Sequence, residues 1–226
     1  MQELKTKTSD KAFKIIALQF ITVIILSILI FQALKTRLEQ PTGFVTIQTS
    51  ANIQNVSRMN CSVTLTQGWN LASLNCLDDP SFEQGFSSIL DSYEAVFTYD
   101  SLTNSWIAYN PDLPEWVVQS KPSVNKRKAY WIKMKQSDVW NYTGFEPLNI
   151  VVELQKGWNL VGYPSVTSKN VSQALSNIEY SIVWTHDNAN KQMLYYKNSS
   201  NNTFTTMQPG QGYWINSSSL QYWSVT

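Results

Sequence analysis

Few side chains in this sequence have the type and spacing that catalysis or metal binding requires. The single histidine, His186, ends a Val-Trp-Thr-His segment whose counterpart earlier in the chain ends in Tyr99. An aromatic ring therefore fills the same position, which is typical of a strand-face residue. Asp100 and Asp187 follow these segments and precede polar turns, where an aspartate commonly bonds its own backbone. We expect turn residues at these positions, and we expect no catalytic histidine.

Other catalytic and metal-binding patterns are absent from the sequence. With one His and two Cys, the usual zinc ligand sets are nearly excluded. The acidic cluster of Asp78, Asp79 and Glu83 lacks the regular spacing of a calcium loop and is predicted to be solvated. There is no Gly-rich phosphate loop, no Cys-X-X-Cys and no Gly-X-Ser-X-Gly. We therefore predict no cofactor, no metal and no enzymatic activity, and keep an extracellular carbohydrate-active or other enzyme as an alternative.

The composition is that of a folded protein with no strong electrostatic preference for a partner. The 226 residues include 17 Lys and Arg against 16 Asp and Glu, a net charge of +1. This balance argues against nucleic-acid binding. Hydrophobic residues make up 43% and aromatic residues 13% of the chain, with nine Trp and eleven Tyr. The length allows one large domain or two small ones with unusually aromatic packing or surfaces.

The N-terminal region is predicted to anchor the chain in a membrane. Residues 15–34 carry no charge, and as a helix this run would span about 30 Å, the thickness of a bilayer's hydrocarbon core. The run ends in bulky residues followed by Lys35, which predicts an uncleaved transmembrane helix. Four lysines precede it and only two basic residues follow it closely, so residues 1–14 are predicted to be a cytoplasmic tail. Everything after the span would then be extracellular.

Two observations favour an outside location for the rest of the chain. Cys61 and Cys76 flank a predicted hairpin and could be joined in an oxidising compartment, with two unpaired thiols as the alternative. If Gln67-Gly68 forms a two-residue turn, Cys61 lies opposite position 74, within reach of Cys76 after a small bulge. Seven asparagines also have the Asn-X-Ser/Thr spacing of glycosylation acceptors. They are Asn55, Asn60, Asn141, Asn170, Asn198, Asn201 and Asn216.

An internal repeat organises the chain beyond the span. Several blocks recur in the same order, at offsets that shrink from 89 to 83 residues because the first copy has longer loops. The matching segments are 65–71 with 154–160, 96–100 with 183–187, and 129–132 with 212–215. We place a stalk at 35–60, a first repeat at 61–144 and a second repeat at 145–226. Within the stalk, residues 44–49 have the composition of a strand.

Each repeat is predicted to contain mainly antiparallel sheet and one short helix, an α+β unit in a mainly β protein. A hairpin opens each copy around Gly68 or Gly157, since glycine supplies the positive φ of a tight turn. Apolar residues then recur at helical spacing over 86–93 and 171–178, preceded by the capping-box pairs Ser81 with Gln84 and Asn170 with Gln173. The remaining strands are predicted near 95–99, 106–109, 182–186 and 193–197, followed by the Tyr-Trp-Ile strands.

The repeated tryptophans are predicted to pack in the core and on strand faces. Trp69, Trp131 and Trp140 match Trp158, Trp214 and Trp223, and a repeated core requires repeated large side chains. The alternative is an aromatic platform that stacks sugar rings or holds a partner. Trp106 and Trp116 lack a tryptophan counterpart, so we select them as candidate contact residues. The basic run Lys126, Arg127 and Lys128 is a second candidate contact site, with a solvated loop as its alternative.

The repeated pattern resembles a known kind of module. Gly-Trp-Asn-Leu, a short helix, an aromatic-Thr-aromatic-Asp strand and a closing (Gly or Ala)-Tyr-Trp-Ile resemble a β-rich module found in tandem in surface and secreted proteins of archaea and some bacteria. The resemblance covers residues 63–226 and implies an extracellular β-rich module without a defined activity. The first copy departs from the pattern, with Lys128-Ala129 where the second has Gln211-Gly212.

These features predict a cell-surface binding, adhesion or structural protein with a single N-terminal span. Its partner would be a glycan, another surface protein, or further copies of the chain in an oligomer or filament. The alternative is a pilin-like filament subunit, cleaved near Ala12-Phe13. That alternative would usually place Glu five residues after the cleavage, where this sequence has Ala17.

Overall fold

The structure, a computed structural model, describes residues 57–197 and 201–225, where the chain is mainly β as the sequence predicts. These residues belong to one compact unit that extends over Ile53–Thr226. The predicted tail, the transmembrane helix and the strand at 44–49 lie outside the described residues. No helix among the residues described here has the length and apolarity needed to cross a bilayer.

The first half of this unit, up to residue 145, contains six strands and one short helix. The helix, α1 (Phe82–Phe86), continues into a 3-10 turn at Ser87–Ile89. The strands are β1 (Arg58–Leu65), β2 (Gly68–Ala72), β3 (Tyr93–Asp100), β4 (Ser105–Tyr109), β5 (Tyr130–Met134) and β6 (Asp138–Phe145).

The second half repeats this order and adds two very short strands. Its helix, α2 (Val171–Ala174), is only four residues long. The strands are β7 (Ile150–Leu154), β8 (Gly157–Gly162), β9 (Lys169–Asn170), β10 (Tyr180–Asp187), β11 (Gln192–Tyr196), β12 (Thr206–Met207), β13 (Gly212–Ser217) and β14 (Gln221–Val225).

Each half contains a four-stranded sheet and a two-stranded ribbon, all antiparallel. The first sheet has the order β2-β5-β3-β4, and the second has the equivalent order β8-β13-β10-β11. The ribbons pair the first and last strands of each half, β1 with β6 and β7 with β14. In each half the ribbon and the helix pack on one face of the sheet. The other face lies outside these two cores, apart from a small buried cluster of Leu71, Ala129 and Leu160.

The predicted opening hairpins are wrong, because the Gly turns are corners between two layers. β1 pairs with β6 and β2 pairs with β5, so the strands on either side of Gly68 belong to different sheets. The Asn70 side chain hydrogen-bonds the backbone groups at this corner. Its Oδ1 accepts the Thr66 N–H at 2.9 Å, and its Nδ2 donates to the Thr66 and Gly68 carbonyls. Asn159 makes the same bonds around Gly157. This is the physical reason for the Gly-Trp-Asn-Leu repeat.

The helices are shorter than predicted, and only one of the two predicted caps forms. Ser81 and Gln84 make the capping box as expected. Asn170 gives no side-chain cap because it lies in β9, paired with Thr206. Tyr93, which was assigned to the helical pattern, begins β3 instead.

Each half has its own core, closed by one fully buried tryptophan. The Trp140 Nε1–H donates to the Gly85 carbonyl at 2.7 Å, and the Trp223 Nε1–H donates to the Ala174 carbonyl at the same distance. The predicted core position of this pair is therefore confirmed. The disulfide between Cys61 and Cys76 is also confirmed, with a Cα–Cα distance of 6.1 Å.

Some of the contacts that join the two halves occur in equivalent pairs. Isolated bridges link Ala72 with Gln211 and Val161 with Lys128, and these four positions are equivalent two by two in the repeat. Such reciprocal contacts define an approximate twofold relation between the halves. At Gly162 an added Cβ would lie 2.9 Å from the Lys126 and Lys128 carbonyl oxygens, so the backbones approach too closely there for a side chain.

Candidate binding surface

The outer face of the first four-stranded sheet is covered by aromatic side chains. Directly paired residues in a sheet present their side chains on the same face. The pairing of Phe97 with Trp131 and of Tyr99 with Trp106 places these rings together, and Trp69 stands on the same face opposite Lys133. The Trp69 side chain is 41% exposed and that of Trp106 is 53% exposed.

The second sheet presents an equivalent set of side chains. Trp184 pairs with both Trp214 and Tyr195, and Trp158 lies on the same face opposite Asn216. Met193 occupies the position that Trp106 has in the first repeat. We refer to the two outer sheet faces together as the aromatic face. It holds six of the nine tryptophans: Trp69, Trp106, Trp131, Trp158, Trp184 and Trp214.

The aromatic face contains two open grooves of similar size. The first groove, of about 390 Å³, is lined by Trp69, Phe97, Trp106 and Trp131. The second groove, of about 360 Å³, is lined by Tyr99, Trp106, Trp158, Trp184, Met193 and Trp214. Trp106 lines both, so its indole separates two equivalent sites.

The rings in the grooves stand at steep angles to one another. Trp69 and Trp131 have an interplanar angle of 83°, Trp158 and Trp214 one of 87°, and Trp106 and Trp214 one of 66°. Edge-to-face contacts of this kind are the arrangement that aromatic pairs prefer. They form slots between rings. A flat platform for stacking on an extended sugar surface would need coplanar rings.

Polar atoms are few on this face and most of them are donors. None of the six indole N–H groups donates a hydrogen bond to another described residue, whereas Trp140 and Trp223 in the core both do. The Tyr99 hydroxyl donates to Asn104 at 3.1 Å. No residue lining either groove is charged. Lys133 stands beside the first groove, neutralised by Glu94 at 2.7 Å.

The grooves are held by the contact between the two halves. The Trp214 ring lies 5.2 Å from Tyr99, and the equivalent pair, Trp131 and His186, is 5.1 Å apart. Asn188 hydrogen-bonds both the backbone N–H and the carbonyl of Leu71, and its Oδ1 also meets His186 Nδ1 at 2.9 Å. The second groove therefore contains residues of both repeats.

The structure separates the two tryptophans selected as contact residues. Trp106 lies at the centre of the aromatic face, between the grooves. Trp116 lies in the loop between β4 and β5, lines neither groove and is 82% exposed.

The basic run has partners within the chain. The Lys126 ammonium pairs with Asp78 at 2.7 Å, the Arg127 Nε–H donates to the Val151 carbonyl, and Lys128 donates to the Ser123 hydroxyl. The Arg127 carbonyl also accepts the Gly162 N–H at 2.9 Å. This run joins the first repeat to the second.

The residues considered for chemistry lie apart from one another. His186 is buried at the junction of the halves. Asp187 and Asp100 accept backbone N–H bonds within their own turns, as predicted, and those bonds lower the pKa of Asp187. Within the described ranges, no group of three His, Cys, Asp or Glu side chains is placed to hold a metal ion.

The predicted glycosylation acceptors differ in exposure. The side chains of Asn60, Asn141, Asn170 and Asn201 are exposed, and that of Asn216 is half-buried on the aromatic face. Asn55 and Asn198 lie outside the described residues.

The other four repeated tryptophans are not core residues but lie on strand faces, which the prediction of core and strand-face packing includes. Trp69, Trp131, Trp158 and Trp214 stand on the outer face. A signal for this was present in Tyr130-Trp131-Ile132-Lys133, because residues two apart in a strand share a face and Lys133 indicates the solvent side.

Comparisons with protein-family models, with curated proteins and with solved structures found no match to this chain.

Proposed function

We propose that this chain is a membrane-anchored cell-surface protein whose two repeats form a binding module. The aromatic face would be its binding surface, with the two grooves as equivalent subsites. The ligand would be a partner with apolar groups that enter the slots and acceptors that meet the indole N–H groups.

One observation carries this proposal: six of nine tryptophans stand on one solvent-facing surface while the cores are already closed by Trp140 and Trp223. Large exposed apolar patches on soluble domains mark interaction sites. Tryptophan is also the residue most enriched among those that dominate binding energies. Of the six rings, Trp131 and Trp214 also cover a small buried cluster of Leu71, Ala129 and Leu160. The other four belong to none of the core clusters formed by the described residues.

Three features support the cell-surface location. The disulfide between Cys61 and Cys76 is typical of an oxidising compartment. Four of the glycosylation acceptors have exposed side chains. The uncharged run at 15–34 would serve as the anchor.

Binding can be tested with full-length protein in nanodiscs and envelope fragments from cells that lack it. The double substitution Trp106→Ala, Trp184→Ala removes one lining ring from the first groove and two from the second, and should reduce co-sedimentation about tenfold or more. Tyr222→Ala is the matched control, since Tyr222 is an exposed aromatic residue, 60% exposed, outside the grooves. Equal co-sedimentation of all three proteins would refute the binding role of the aromatic face.

The location is tested separately by protease treatment of intact cells. Release of peptides from residues 57–226 without lysis is the expected result. Protection of these residues until the cells are lysed would contradict the surface location.

A further inference from the structure

The loop between β4 and β5 of the first repeat is longer than its counterpart between β11 and β13 of the second, and hydrogen bonds close its base. It runs from Asn110 to Ala129, between β4 and β5. Its base is closed by the Gln119 side chain, which accepts the Asn110 N–H at 2.7 Å and donates to the Asn110 carbonyl at 3.0 Å. Lys135 pairs with Asp112 at 2.9 Å, which fixes one side of the loop to the end of β5.

The tip of this loop exposes apolar side chains. The Val117 N–H bonds the Pro114 carbonyl at 2.9 Å, so Glu115 and Trp116 occupy the corner of a turn. Trp116 is 82% exposed and Val118 is 98% exposed. Trp116 has no ring partner among the described residues. The bonds at the loop base and in the turn hold the backbone that presents this protruding tryptophan, which reduces the conformational freedom lost when it binds.

The same molecule therefore carries a protruding aromatic anchor and open aromatic grooves. The anchor is exposed and the grooves are open, so Trp116 does not occupy a groove of its own chain. Complementary patches on different parts of one surface produce head-to-tail contacts between copies. An indole buries about 150–250 Å² of surface when it is enclosed, a large contribution for one side chain.

Charge selects the second groove over the first. Glu115, next to Trp116, is exposed and forms no ion pair or hydrogen bond within the described residues. Lys156 precedes Trp158 of the second groove by two residues and is likewise exposed and unpaired. The equivalent position in the first repeat is the neutral Gln67. Of the two lysines near that groove, Lys133 is neutralised by Glu94, and the Lys191 ammonium is held by the Thr66 hydroxyl and the Trp69 carbonyl.

We propose that this protein self-associates head to tail, with Trp116 of one copy inserted in the second groove of the next and Glu115 facing Lys156. The proposal rests on the proposed function, since it takes the aromatic face as a binding surface and names a second copy of the chain as its occupant. After one contact the pair retains one free anchor and one free second groove, so the association continues into chains of copies.

The test measures self-association of the full-length protein in detergent by sedimentation velocity over a range of concentrations. The natural chain should form concentration-dependent oligomers, and Trp116→Ala should weaken association about tenfold or more. Glu115→Lys and Lys156→Glu should each weaken it, and the two substitutions together should restore it by reversing the pair. Leu102→Ala, at another exposed apolar position of the first repeat, is the matched control and should associate like the natural chain.

A photo-crosslinking amino acid at position 116 should give adducts to residues around Trp158 and Trp184 of a second copy. A monomer at all concentrations, or oligomers unaffected by Trp116→Ala, would overturn the proposal. Trp116→Ala should unfold at the same temperature as the natural chain, so a lost oligomer would not reflect a lost fold. If Trp106→Ala, Trp184→Ala still abolishes envelope binding while no oligomer forms, self-association is refuted and the proposed function stands.

Discussion

Replacement of Asn70 by alanine should destabilise the fold even though the residue touches no ligand site. Asn70 is completely buried at the corner between β1 and β2. Its amide accepts the Thr66 N–H and donates to the carbonyls of Thr66, at 2.7 Å, and Gly68, at 2.9 Å. Alanine removes all three bonds and offers these backbone groups no other hydrogen-bond partner.

The expected loss follows from the number of backbone groups left without a partner. A hydrogen bond contributes about 1 kcal/mol net, and a group left buried without one costs more. Three lost bonds therefore give about 3 kcal/mol, reduced to about 2 kcal/mol where water reaches the half-exposed Thr66 and Gly68. In a domain of this size, such a loss lowers the unfolding temperature by about 4–12 °C.

Equilibrium urea unfolding, followed by circular dichroism, measures the free energy of unfolding of each variant. Asn159→Ala removes the equivalent bonds in the second repeat and should lose a similar amount. Asn141→Ala, on the exposed face of β6, is the matched control and should stay within about 0.5 kcal/mol of the natural chain. If Asn70→Ala and Asn159→Ala also stay within that range, the corner bonds do not explain the repeated motif.

Two further predictions concern the disulfide and the buried tyrosines. The Cys61→Ser, Cys76→Ser variant loses a link across a sequence separation of 15 and should lose about 3 kcal/mol, and an unchanged urea midpoint would contradict this. Burial raises the pKa of Tyr180 to about 12 and also raises the pKa of Tyr130 and Tyr213. The unfolded chain releases phenolic protons near pH 10, before the folded chain does, so stability holds below about pH 10 and falls as pH rises further. Tyrosinate absorbance should therefore show a late class that titrates together with unfolding, and titration of every tyrosine near pH 10 in a folded protein would refute it.

The strands could be predicted from the sequence because alternation and repetition reinforce each other. Equivalent positions of the two repeats carry the same core residue, as in the pairs Val96 with Val183 and Tyr130 with Tyr213. The strand assignment in one repeat therefore supports the assignment in the other. The pairing of the strands could not be predicted in the same way. A positive φ at Gly68 is required by a tight hairpin and equally by a corner between layers. The side chain of Asn70 decides between them, through bonds that sequence spacing does not show.

The disulfide was predicted correctly from a pairing that does not occur. Cys61 reaches Cys76 because both lie beside Tyr142 of β6: Cys61 pairs with Tyr142 in the ribbon, and the Cys76 sulfur lies 3.3 Å from the Tyr142 carbonyl oxygen. The segment around Cys76 packs so closely on β6 that a side chain at Gly144 would collide with the Cys76 carbonyl. Proximity in sequence was a sufficient guide, since a separation of 15 keeps the two residues close in either arrangement.

The aromatic face was the least predictable part of the molecule. A repeated tryptophan is required by a repeated core, as Trp140 and Trp223 show, and nothing in residue type separates those two from Trp131 and Trp214. The distinction depends on which side of each sheet the ribbon covers, and this is a property of the long-range pairing of β1 with β6. Only the alternation with Lys133 indicated the solvent side.

The departures from the repeat point to function more directly than the repeat itself. Several stabilising contacts come in equivalent pairs: Thr98 and Thr185 both donate to the carbonyl of the residue that precedes Tyr-Trp-Ile, at 2.9 Å and 2.7 Å. A duplicated scaffold needs such pairs on both sides of its approximate twofold axis. It does not need a tryptophan at position 106 against Met193, or an exposed Trp116 on a loop that is longer than its counterpart in the second repeat. These differences lie on the aromatic face and on the anchor proposed to fill it. A substitution at either place breaks none of the contacts that both repeats share.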